Sequence, residues 1–355
     1  MVEADDAAGF ERVISVRKER SYTAGKIVRG WIGPQPIPVL NYSCAAACAE
    51  LHALLAATEF DTVQLVSVHL IEYLNLIRAV PRRPAVIMDW HNIESELMFR
   101  YAAQTSNWVR RAIARRTAVL LQGVERRAID NCDGITVVSE RERTQLRACH
   151  PNANVHVVRN GMDCASYSCP DRRTAAPETL LFVGSMDYYA NVDAVTGFVR
   201  EVWPELSKRN PGLTFVIAGS KPTAAVRALA SDRVRVTGTV DDIRPFYRTA
   251  TVVVVPLRVG GGTRLKILEA MAAGVPVVST RLGAEGLTVE DGKTIRLADS
   301  AGEMVISIDR LLHHEVERAA LARAASALVR RTYDWNVIGR ELYGVHTRVA
   351  DVWAA

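Results

Sequence analysis

Two closely spaced side chains invite chemistry first: Arg264 and Lys266, which follow the run Gly260, Gly261, Gly262, Thr263. Two cations beside a flexible turn suit an anion. Three glycines let the backbone approach a ligand closely, and a helix beginning there offers unpaired N–H groups to phosphate. Cations in a first helical turn run against the macrodipole. An anion between them removes that conflict. A packed strand–helix–strand unit with two solvated cations is the competing reading, and the local pattern leaves both open. A second group, Asp89, His91, Asn92 and Glu94, follows the apolar run at 85–89. Ligands of open α/β sheets gather beyond the carboxyl ends of strands, which makes these polar residues candidates too. The plainer alternative is that Asn92 caps the next helix while Glu94 and Glu96 complement its dipole.

The elements that must hold these groups follow from periodicity. Valine-rich runs at 252–255 and 275–279 predict buried parallel strands around a helix at 263–273. Helices are predicted at 45–57, 71–79, 107–130, 193–209, 223–230, 301–330 and 336–353. Strands fall at 12–17, 62–68, 85–89, 179–183, 213–218, 233–237 and 294–297. Two further strands, in GITVV and VHVV, lie between the 107–130 helix and the Asn160–Gly161 turn. This alternation predicts parallel sheets covered by helices on both faces. Ser139 and Glu142 form a capping signal, which explains Ser139 without any nucleophilic role. The Asn160–Gly161 turn is expected to need a positive φ. Residues 164–178 are polar and aperiodic and predict a linker.

The pattern PLRVGGGTRLKILEAMAAGVPVVST (256–280) resembles the nucleotide-sugar site of the retaining glycosyltransferases of family 4, also called group 1, which have the GT-B fold. FVGSMDYYANVDAV (182–195), VTGTVDDIRPFY (236–247) and VVRNGMD (157–163) match the same family in the expected order. The resemblance implies two Rossmann-like domains facing a cleft: an acceptor-side domain over 1–163, a linker over 164–178 and a donor domain over 179–335. A terminal helix, 336–355, is expected to return to the first domain. The opening residues lack the family's first strand, glycine turn and helix, so the acceptor-side domain is expected to be incomplete. The implied reaction is transfer of a sugar from a nucleotide-diphosphate donor, with retention, by front-face attack of the acceptor. The subgroup it looks most like works in exopolysaccharide or cell-envelope assembly.

Carried over residue by residue, the resemblance places the donor against Gly184, Val240, Gly261, Gly262, Thr263, Arg264, Leu265, Lys266 and Glu269. Glu269 would hold the ribose hydroxyls, while Val240 lies where relatives bind the base through backbone groups. Arg264 and Lys266 would neutralise the diphosphate, because MDYYANVDA after Gly184 lacks the usual cations. His91 would orient the sugar or acceptor. The family's second glutamate is replaced by Gly261. No metal or other cofactor is implied. A non-catalytic nucleotide-sugar-binding scaffold of the same fold is the alternative. A sugar-nucleotide epimerase lacks suitably placed carboxylates. An NAD dehydrogenase lacks an early GxGxxG.

Bulk properties bound the rest. The chain's 355 residues suffice for two domains, and its net charge of +5 suits phosphate-bearing substrates or an anionic membrane face. The arginine-rich helix at 107–130 is either a solvated face or a contact with anionic lipid. Nucleic-acid motifs are absent. Six cysteines show no CxxC or zinc spacing. With no long apolar run and an acidic N-terminus, a cytoplasmic protein, peripheral at most to the membrane's inner face, is expected.

Overall fold

The computed structural model describes residues 10–17, 21–168, 178–260 and 264–354. It divides into two compact units, one running to Val158 and resuming at Leu342, the other spanning Arg159–Glu341. Each is built on a parallel sheet.

The first unit orders β1 (Thr62–Val66), β2 (Ala85–Trp90), β3 (Gly134–Val137) and β4 (Val155–Val157) as β1-β2-β3-β4. Val86, Met88 and Trp90 point to one core, shared with Ile71, Leu74 and Ile77. Ala85 and Ile87 point the other way, onto Val345 and Val349 of the last helix, Trp335–Ala354. Alternate residues of one strand thus feed two apolar layers, which is why the run shows no polar alternation.

The second unit holds β5 (Thr179–Val183), β6 (Thr214–Ala218), β7 (Val234–Val236), β8 (Val252–Val255), β9 (Val277–Ser279) and β10 (Arg296–Leu297). Their order is β10-β9-β8-β5-β6-β7, all parallel. Numbered within the unit, this is the doubly wound order whose switch point lies between its first and fourth strands, here β5 and β8. All four valines of β8 are fully buried. Among the described residues no helix is long and apolar enough to cross a membrane.

Several expectations need correction. Residues 12–17 form no strand, and among the described residues none precedes Thr62. The proline-spaced stretch forms two helices, Ala24–Ile32 and Ile37–Tyr42, the second with proline at its start, where a missing N–H costs nothing. The 71–79 helix is a 3-10 segment, Val68–Tyr73, running into Leu74–Arg78. The 193–209 helix breaks at Val202, where Pro204 opens a new helix, Trp203–Arg209, after Tyr189–Glu201. Within the expected linker, Cys164–Tyr167 is helical because Asp163 accepts hydrogen bonds from the Ala165 and Ser166 N–H groups. Gly161 has no positive φ. It is glycine because an added Cβ would lie 2.6 Å from the Trp335 ring. Ile93, not Asn92, caps the Glu94–Gln104 helix.

Candidate functional site

The second unit opens a cleft of about 430 Å³ at the carboxyl ends of β5 and β8, lined by Val183, Gly184, Leu257, Arg264, Lys266 and Glu269 among others. Its place follows from topology: helices leaving the two strands at the switch point turn to opposite faces of the sheet and leave a crevice. Gly219 at the end of β6 has φ +150°, and a Cβ there would come within 1.8 Å of the Gly184 carbonyl. The two strand ends therefore lie in backbone contact, which only glycine permits.

The helix after the glycines runs Leu265–Ala272, with Arg264 as its N-cap. This moves the expected start two residues on. Arg264 lies before the first turn, mostly buried, and only Lys266 is a cation inside it. Leu265 and Lys266 supply the first N–H groups of this helix, positions that have no partner within the helix itself, and Ile267 N–H donates to the Arg264 carbonyl at 2.9 Å. Gly261, Gly262 and Thr263 lie outside the described residues. Gly260 has φ +109° and passes within 3.4 Å of Tyr188 Oη by its would-be Cβ.

Lys266 is held on two sides. Its Nζ donates to Asn191 Oδ1 at 2.8 Å and sits 4.2 Å from the centre of the Phe182 ring. Asn191 Nδ2 donates to the Ser185 carbonyl at 2.9 Å, which fixes which way its amide points. Burial, together with Arg264 and against the opposing pull of Glu269, lowers the Lys266 pKa to about 7. A buried ammonium at such a value is stabilised by any incoming anion.

Glu269 is gripped by two phenols. Tyr247 Oη donates to Oε2 at 2.7 Å and Tyr167 Oη to Oε1 at 3.2 Å. Burial and the carboxylate both push these phenols well above the usual tyrosine range, so they stay donors. Each carboxylate oxygen keeps a further lone pair for a ligand hydroxyl. Asn191, Tyr167 and Tyr247 were not singled out from the sequence, although Asn191 and Tyr247 lie inside the matched motifs. Gly184, Arg264, Leu265, Lys266 and Glu269 come together here; Val240 does not line this cleft.

His91 belongs to the first unit, just beyond β2. Its side chain is half exposed, 3.8 Å from the Asp89 carboxylate. Glu94 lies nearby, its pKa raised by burial against the lowering effects of Asn92 and His91.

Comparison with known proteins agrees with these features. The profile "Glycosyltransferase Family 4" matches residues 4–166, and "Glycosyl transferases group 1" matches 177–314. The phosphatidyl-myo-inositol mannosyltransferase of Mycobacterium tuberculosis is 28% identical over 249 residues, which span 66% of this chain and 64% of that protein. The chain thus matches somewhat less than two thirds of that relative's length. Sucrose-phosphate synthase from Thermosynechococcus elongatus superposes with a TM-score of 0.66 at 18% identity, covering 89% of this chain and 78% of that one. Anabaena Alr3699/HepE, solved in complex with UDP, gives 0.64 at 15% identity over 90% and 84%. With one profile on each unit and a parallel, doubly wound sheet carrying the site, the chain belongs to the group 1 glycosyltransferases of family 4, with the GT-B fold.

Proposed function

We propose that this protein moves a hexosyl group from a nucleotide-diphosphate donor to a glycan or lipid-linked acceptor, with retention, in bacterial polysaccharide or cell-envelope assembly. The observation that carries the reading is the meeting of a helix start, Lys266 and Glu269 in one cleft at the β5–β8 switch point. In this reading the Leu265 and Lys266 N–H groups take the β-phosphate. Arg264 and Lys266 add positive charge as the leaving diphosphate gains negative charge. Glu269 takes the ribose hydroxyls. Gly184 lets the donor approach the end of β5, and Val240 offers its backbone to the base. His91 orients the sugar or acceptor. The enzyme's share is positioning and electrostatics, without a metal. UDP in the Anabaena neighbour supports a nucleoside diphosphate, and the mycobacterial relative's name supports a lipid-borne acceptor.

The acceptor side is proposed to work at an anionic membrane face. Arg110, Arg111 and Arg115 are exposed on the Trp108–Asn131 helix, beside Trp108, which is 77% exposed. The helix Ala24–Ile32 shows Trp31 and Ile32, 58% and 80% exposed, and is tied to the basic helix where Arg116 Nη2 donates to the Gly33 carbonyl at 3.0 Å. Neither 20–49 nor 97–124 contains an acid. Basic residues around exposed aromatic and aliphatic groups suit a lipid headgroup layer.

Titration calorimetry with UDP, GDP and ADP tests the donor assignment. One nucleotide is expected to bind, and Glu269→Gln, which keeps the shape, should weaken it about tenfold or more. Unchanged affinity in Glu269→Gln would remove Glu269 from the site. No binding by any nucleotide would overturn the donor reading. Binding without transfer to any acceptor would favour the scaffold alternative, which Gly261 in place of a glutamate motivates.

A further inference from the structure

A polar chain crosses the face of the first sheet that the Trp335–Ala354 helix covers. Gln64 pairs with Ile87, while Asp89 pairs with Val66 on one side and Thr136 on the other. Side chains alternate between the faces of a sheet, so Thr62, Gln64, Asp89 and Thr136 share the face of Ile87. Val345 and Val349 pack on that face. Their neighbour His346 is thereby brought to β1. His346 Nδ1 lies 2.8 Å from Thr62 Oγ1, and Nε2 lies 2.9 Å from Gln64 Oε1. Gln64 Nε2 donates to Asp89 Oδ2 at 3.1 Å, and Thr136 Oγ1 donates to Asp89 Oδ1 at 2.6 Å. The same Oδ2 is 3.8 Å from His91 Nε2.

The direction of every bond is determined. Asp89 accepts from both Gln64 and Thr136, so Gln64 turns its NH2 toward Asp89 and its carbonyl oxygen toward His346. His346 Nε2 must therefore carry the proton. Burial holds His346 below the usual histidine range, opposed by Asp89, so the ring is neutral and Nδ1 accepts from Thr62. The reversed amide would set two acceptors against each other. The Asp89 side chain is only 16% exposed, so its donors fix its orientation, whereas His91, 48% exposed, has a single charged neighbour on β2, Asp89, and a second beyond it, Glu94.

We propose that Asp89 is the positioning residue for His91, and that the terminal helix sets Asp89 through the one-way hydrogen-bond chain from His346 by way of Gln64. The chain stands on the geometry of the first unit alone. Its consequence for sugar transfer rests on the role given to His91 above.

Histidine NMR on the full chain tests it, with thermal melting to confirm that each variant folds. His346 is expected as the Nε2–H tautomer at neutral pH, and an Nδ1–H tautomer would break the chain. Asp89→Asn should loosen the His91 ring, read as a clear fall in its side-chain order parameter. Gln64→Leu and His346→Phe should lower it part of the way, because a carboxylate released from Gln64 turns toward water. His346→Gln, which can still donate to Gln64, should return it toward the wild-type value. No fall in Asp89→Asn, or none in Gln64→Leu and His346→Phe, overturns the proposal. A His91→Ala protein that transfers sugar at the wild-type rate overturns the positioning role itself. Failure of the donor reading shows separately, as absence of nucleotide binding.

Discussion

In the proposed function, Lys266 would couple donor binding to pH. Its pKa near 7 reflects burial first and Arg264 second. A diphosphate beside it favours the ammonium and raises that value, so above about pH 7 binding must take up a proton. Calorimetry in buffers of different ionisation enthalpy should show this uptake. Affinity should fall by up to about tenfold per pH unit above 7, and Lys266→Met should abolish the trend. Stability of the empty protein moves the other way. The unfolded chain holds its lysine proton up to the ordinary lysine value of 10.5 and the folded chain only to about 7, so stability rises with pH between them. Lys266 stood out by its place after the glycines and Glu269 by the resemblance, and both lie on one short helix. Their partners did not. Asn191 is 75 residues from Lys266, and Tyr167 is 102 from Glu269, separations that only the assembled sheet closes.

At the scale of elements, the two glycines at the crevice have separable roles. Gly219→Ala puts a Cβ 1.8 Å from a backbone carbonyl at a left-handed φ, and neither can yield cheaply. A stability loss of about 3 kcal/mol or more is expected by denaturant titration. Gly184→Ala meets instead the side-chain ends of Asn191 and Lys266, at 2.6 and 2.9 Å. Those can move, so the protein should stay folded within about 1–2 kcal/mol while nucleotide binding suffers. A Gly184→Ala protein that binds normally would show that the Lys266–Asn191 pair does not matter. Valine runs such as β8 were legible because burial on both faces leaves a continuous apolar signal. The two N-terminal helices were not. Ala24–Ile32 turns much of its apolar face outward, and closely spaced prolines read as loop until one is seen to open Ile37–Tyr42. The 263–273 helix was placed correctly but started late, because Arg264, with ψ 80°, leaves the helical region.

For the molecule as a whole, the exposed face of the Ala24–Ile32 helix and the basic Trp108–Asn131 helix make a common prediction. Vesicles containing phosphatidylglycerol should sediment the protein, and those of phosphatidylcholine alone should not. Trp31→Ser with Ile32→Ser should reduce sedimentation several-fold without changing nucleotide affinity, and raised salt should weaken it. Equal binding to both lipids, or none, would leave these arginines as an ordinary solvated surface. The family, the parallel sheets and most strand positions were legible in the motif order and the apolar runs. The contact between a strand near the start and a helix at the end was expected only by resemblance, because nothing local in 336–353 names its partner.

That contact sets the order in which the chain can be finished. The second unit is one uninterrupted stretch, but the first is written in two pieces, and the bare face of Ala85 and Ile87 meets Val345 and Val349 about 260 residues later. At ribosomal speeds of roughly 5–20 residues per second, that side of the first sheet stays uncovered for about 13–50 seconds after its strand is made. During synthesis the second unit can therefore close before the unit that precedes it, and the first sheet, with its apolar strand exposed, is the part most in need of a chaperone.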